Sequence, residues 1–150
     1  MGKDRIGHTD LVDEVETTLH SHPDGGSSSS KGFCIGVFKA DVDVAIGLCK
    51  VFFTIPASMN GMNLTDVLAS VYTKGIGALT NVYVGRRRSG SNDYMLSTPV
   101  TIGDEWFARD GVIDPAKDDV LTGDIIFVEV TAVHATRPKG LSAVMTFENP

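Results

Sequence analysis

The most constraining stretch of this chain is residues 120–133, Val-Leu-Thr-Gly-Asp-Ile-Ile-Phe-Val-Glu-Val-Thr-Ala-Val. In an extended backbone Ile126, Val128, Val130 and Ala132 fall on one face, and Ile125, Phe127, Glu129, Thr131 and Val133 on the other. The first face is wholly apolar and belongs in a core. The second mixes Glu and Thr with large apolar groups, which predicts a half-exposed face or one pressed against a neighbouring subunit. Thr122-Gly123-Asp124, just before the strand, is turn chemistry. A strand of this kind needs lateral partners and a covering layer.

The segments from residue 33 onward supply both. Residues 33–38 and 45–55 read as strands, the second with Cys49, Val51, Phe53 and Ile55 on one face and Lys50 and Thr54 on the other. Residues 79–88 form a strand with Val82 and Val84 inward, and residues 99–102 a short one. Leu141, Ala143, Met145 and Phe147 face inward in the last strand. Residues 64–73 fit either a helical turn or a strand. Residues 56–63, 89–93 and 110–119 read as loops, with turns at 74–77 and 137–140. Short alternating strands at this spacing, with 16 glycines in 150 residues, predict an all-β domain, a jelly-roll-like β-sandwich over 33–150. An open barrel is the structural alternative.

An N-terminal arm precedes it. Residues 9–20 predict a short helix, capped by Thr9 or Asp10, with Asp13, Glu14 and Glu16 in its early turns. Leu11, Val12, Val15 and Leu19 form one apolar stripe, and three of them have the spacing of a coiled-coil seam. A helix this short is marginal alone, so the stripe is expected to self-associate, or to dock on its own domain or another protein. Pro23 ends it, and the Gly/Ser tract to residue 32 is a flexible tether. The expected division is an attachment arm, 1–32, and a sandwich, 33–150.

The net charge of −6 argues against bulk electrostatic binding of nucleic acid or an anionic membrane. No run of 18 apolar residues exists, so no bilayer span is expected, and the polar N-terminus carries no secretion signal. The two cysteines, Cys34 and Cys49, sit in apolar sequence. They predict buried free thiols in a protein assembled in a reducing cytoplasm, a disulfide being the alternative.

Several short motifs within residues 51–147 have a collective likeness. They are Ile55-Pro56-Ala57, Leu64-Thr-Asp-Val-Leu-Ala-Ser-Val-Tyr-Thr-Lys-Gly75, Thr80-Asn-Val-Tyr-Val-Gly-Arg-Arg-Arg88, Asp93-Tyr-Met-Leu-Ser97, Thr122-Gly-Asp-Ile125 and Lys139-Gly-Leu141. Together they resemble a β-sandwich module of structural proteins from tailed-phage virions: head fibres, decoration proteins and tail fibres. The resemblance implies a non-enzymatic virion protein, commonly homotrimeric and held through an N-terminal segment. Its implied partners are capsid or tail proteins. The implied role is capsid decoration or a head fibre, with a tail-fibre or carbohydrate-binding module adhering to host glycans as the alternative.

Four groups of residues are candidate sites. His20 and His22 point the same way in an extended segment. Three copies about a threefold axis would present six imidazoles, a cage suited to Fe(II) or another first-row ion, and the motif resembles His-x-His pairs on some phage fibres. The bland reading is two solvated histidines. Arg86, Arg87 and Arg88 are a basic run suited to a carboxylate patch on a capsid or a neighbouring subunit, or to nucleic acid, although alternation separates Arg87 from the other two; the alternative is a solvated strand end. Asp114, Asp118, Asp119 and Asp124 read as turn formers rather than a calcium loop. Trp106 and Phe107, with Tyr72, Tyr83 and Tyr94, are candidates for a glycan platform, the alternative for Trp106 being a core or subunit-contact residue. His8 and His134 read as ordinary surface or strand residues. No catalytic motif is apparent, so no enzymatic activity is expected.

Overall fold

A computed structural model describes residues 29–150, the side chains of Cys49 and Lys50 excepted. The expected helix with Leu11, Val12, Val15 and Leu19, and the His20/His22 pair, lie outside the described residues.

The described chain is all-β. Its strands are β1 (Lys31–Asp43), β2 (Gly47–Thr54), β3 (Asn63–Thr73), β4 (Thr80–Arg88), β5 (Ser91–Tyr94), β6 (Leu96–Thr98), β7 (Val100–Ile102), β8 (Phe107–Ala108), β9 (Val112–Ile113), β10 (Ile125–Ala132) and β11 (Lys139–Glu148). One sheet has the order β1-β11-β3-β8; a second has β2-β10-β4-β5, with β7 also on β4; β6 and β9 form a small ribbon. All of these pairings are antiparallel. The late strands insert between early ones: β11 lies between β1 and β3, and β10 between β2 and β4. Residues 64–73, open between helix and strand by sequence, are strand because β11 and β8 pair with their two edges.

Alternation decides the core. Ile126, Val128 and Val130 of β10, Val82 and Val84 of β4, and Leu141, Ala143, Met145 and Phe147 of β11 are all buried in one cluster. Phe33 of β1, Phe53 of β2 and Phe147 of β11 meet between the sheets, the first two stacked at 5.2 Å and Phe147 edge-on to both. Aromatic contacts of this geometry add to the area term that drives sheet packing. Ala132 is only half buried, because the ladder slips between Val130 and Ala132.

Several local expectations are corrected. Residues 91–94 are strand, since β4 extends far enough to pair with them. Cys34 is exposed, because it alternates with the inward Phe33 and Ile35. His134 is buried: Nε2 lies 3.0 Å from the Gly103 carbonyl, which can only accept, and Nδ1 hydrogen-bonds with the Thr80 hydroxyl at 2.9 Å. Gly75 packs on that ring so closely that a Cβ would lie 2.3 Å from it.

Candidate interaction surface

The arginine run is split by the pleat. Arg86 and Arg88 follow Val82 and Val84 on the inner side of β4, while Arg87 faces outward and is exposed. Arg86 Nη1 donates to the carboxylate and the carbonyl of Asp119. Arg88 donates to Asp124 through Nε at 3.0 Å and Nη2 at 2.6 Å, and to Asp119 through Nη1 at 3.0 Å. Asp124 is 3% exposed and also accepts the Leu121 N–H at 2.8 Å. Burial pushes the Asp124 carboxyl upward. The hydrogen bonds from Arg88 and Leu121 and the charges of Arg88 and Arg86 outweigh this and leave it below the usual carboxylate range. Asp119 shows the same balance, lowered by Arg86 and Arg88 against its own burial. These four side chains therefore pin the segment before β10 onto β4. Only Arg87 of the three arginines is free of internal ion pairs among the described contacts.

The outer face of the second sheet is unusual in being apolar. An antiparallel sheet with one solvated face ordinarily alternates apolar-in with polar-out. Here the outward rows, read across the register, are Leu48–Glu129–Tyr83, then Phe52–Phe127–Gly85–Tyr94, then Thr54–Ile125–Arg87–Asn92. Phe52 and Leu48 are 62% and 55% exposed, and Ile46, in the turn before β2, is 62% exposed. Phe127 is buried although it faces outward, because its ring lies over Gly85: a Cβ there would be 2.3 Å from Phe127 Cζ and 2.8 Å from the Asp93 carbonyl oxygen.

Beyond Phe127 the face becomes polar. Tyr83 and Tyr94 stack at 4.4 Å, and the Tyr94 hydroxyl donates to Glu129 Oε2 at 2.6 Å. That hydrogen bond, with burial and the Glu129 charge, pushes the Tyr94 hydroxyl up to about 12. Three concavities run along this surface. One of about 540 Å³ is bounded by Val37, Val42, Ile46 and Leu48. One of about 200 Å³ lies among Leu48, Phe52, Arg87 and Phe127. One of about 280 Å³ lies among Asn92, Asp93, Tyr94 and Glu129. The first two share Leu48, and the second and third share Asn92 and Phe127, so the surface is continuous.

The same side of the molecule carries two strand edges. Among the described residues β1 pairs only with β11, and β2 only with β10. An unpaired edge offers backbone donors and acceptors to another chain. Leu48 and Phe52 were not singled out by sequence reasoning. Their signal is that β2 carries large apolar groups on both faces, whereas a strand covered on one side needs them on only one.

Trp106 stands elsewhere, just before β8 at the edge of the first sheet. It is half exposed, with the Lys74 ammonium 5.2 Å from its ring centre, and its carbonyl accepts the Val71 N–H. Asp114 forms a local turn by accepting the Ala116 N–H. Among the described residues no group of three or more His, Cys, Asp or Glu is arranged to hold a metal, and no helix is long and apolar enough to cross a membrane. No family model, curated protein or solved structure matches this chain.

Proposed function

We propose that the chain is a structural protein of a tailed-phage virion, a homotrimer that decorates the head or forms a fibre and is fastened through residues 1–32. The observation that carries the assembly reading is the exposed apolar surface of Ile46, Leu48 and Phe52 around the buried Phe127 ring, beside the outer edges of β1 and β2, which pair with no further strand among the described residues. Exposed apolar area of this kind is stabilised when a second protein surface removes it from water. The face also carries charges of both signs, Arg87 with Asp93 and Glu129, which a contact with a second surface can pair. The choice of three copies, and of a phage as the setting, rests on the resemblance of residues 51–147.

Strand order supports a jelly roll. Successive strands β1 to β4 alternate between the sheets, and the chain then returns to place β10 and β11 between earlier strands. That arrangement is shared by many viral capsid and lectin domains, and fold alone does not assign a role.

Light scattering of the full chain tests the proposal. The expected mass is that of a trimer, and a Leu48→Glu/Phe52→Glu variant is expected to run as a smaller species that still melts cooperatively, at a lower temperature because subunit association no longer stabilises it. A wild-type chain that remains monomeric at micromolar and higher concentrations would overturn it.

A further inference from the structure

The outer face of the first sheet has a different character: its middle is bare. Gly36, Ser142, Ser70 and Phe107 are direct neighbours across β1, β11, β3 and β8, and cross-strand neighbours project to the same side. Tyr72 lies two residues beyond Ser70 on the same face, beside Gly140. Gly140 has φ 65°, and a Cβ there would lie 2.9 Å from both Ala40 Cα and Tyr72 Cβ. The position is thus confined to glycine, and no side chain rises beside the Tyr72 ring. A groove of about 230 Å³ results, with Ala40, Ser70, Tyr72, Gly140 and Ser142 in its lining and no charged side chain. Tyr72 is 72% exposed and Phe107 is 57% exposed.

We propose that this groove binds a neutral sugar residue of a glycan, its C–H face on Tyr72 and its hydroxyls on Ser70 and Ser142, while Phe107, the cross-strand neighbour of Ser70 outside the groove's lining, takes the adjoining residue of the glycan. A pyranose presents an apolar C–H face and a rim of hydroxyls that both donate and accept. Aromatic rings suit the first, and serine hydroxyls, which also donate and accept, suit the second. The two serine oxygens are 3.5 Å apart, a long contact that leaves both able to bond a ligand. A lining without charge offers nothing to a phosphate, a sulfate or a nucleic-acid backbone, each of which calls for Arg or Lys. The groove is smaller than the roughly 300–1,000 Å³ of drug-sized pockets, which suits one ring at a time.

Affinity electrophoresis of the full chain through gels containing dextran, mannan or an uncharged galactan tests this, with heparin as the charged comparison. Retardation by at least one neutral polymer is expected. Tyr72→Ala and Phe107→Ala are each expected to weaken it about tenfold, the loss of one aromatic contact. Both side chains point away from the core, so melting temperatures of the two variants should match the wild type and show that folding is intact. No retardation by any neutral polymer, retardation by heparin alone, or binding that survives the Tyr72→Ala/Phe107→Ala double substitution would overturn the proposal. The readout is the same for a monomer and a trimer, so it stands apart from the assembly test.

Discussion

Replacing Asp124 by Asn probes the latch that ties the segment before β10 to β4. The side chain keeps its shape and loses its charge. Asp124 accepts from Arg88 Nε, Arg88 Nη2 and the Leu121 N–H. Asn offers one oxygen to these donors and turns its own N–H₂ toward a guanidinium that can only donate. Losing two charge-assisted hydrogen bonds costs about 3–6 kcal/mol if nothing compensates. Arg88 retains Asp119 and its side chain is 30% exposed, so it can recover some hydration, and the lower end, about 3 kcal/mol, is expected. For a domain of this size that lowers the melting temperature by roughly 10 °C. Scanning calorimetry at neutral pH reads the shift. The sign of its pH dependence is fixed: the folded-state pKa of Asp124 lies below its unfolded value, so the stabilisation is present above the unfolded pKa of about 3.9 and is lost as pH falls through the folded pKa. The gap between wild type and variant should therefore be constant near neutrality and close below about pH 4. A shift under about 3 °C at neutral pH, or a gap that persists unchanged into strong acid, refutes the assignment of the latch to Asp124.

Two further outcomes follow from the outer face of the second sheet. Gly85→Ala should destabilise the domain by about 1–3 kcal/mol in urea unfolding, because the added Cβ meets both the Phe127 ring and the Asp93 carbonyl. Adding Phe127→Leu should recover only part of the loss, since the carbonyl contact remains; full recovery would show that the ring alone sets the constraint. Glu129→Gln should bring Tyr94 ionisation down from about 12 toward the ordinary value near 10, followed by tyrosinate absorbance with Tyr94→Phe as the reference. Because the folded-state pKa is raised, the stability it contributes is present below about pH 10 and is lost as pH rises through about 12. An unchanged titration curve in Glu129→Gln would remove Glu129 as the cause.

Much of the all-β character was legible because alternation is a local property. The inward positions of β4, β10 and β11 follow from a period of two, and burial agrees with them through Val82, Val84, Ile126, Val128, Val130 and the four inward residues of β11. Residues 64–73 stayed ambiguous because a short apolar run has no preference until neighbours pair with its edges. Cys34 and His134 were misplaced for a related reason: burial depends on the layer above a side chain, and neither residue's neighbours in sequence form that layer.

By itself the amino-acid order determined which residues of each strand share a face, because the pleat forces that pattern on any extended chain. It did not determine what stands opposite each face. The pairing of Arg86 and Arg88 with Asp119 and Asp124 joins groups more than thirty positions apart. The bare row of Gly36, Ser142 and Ser70 beside Tyr72 likewise exists only once β11 has inserted between β1 and β3. Strand order is a long-range choice among pairings of similar local energy, so the surfaces on which function rests were settled by tertiary structure.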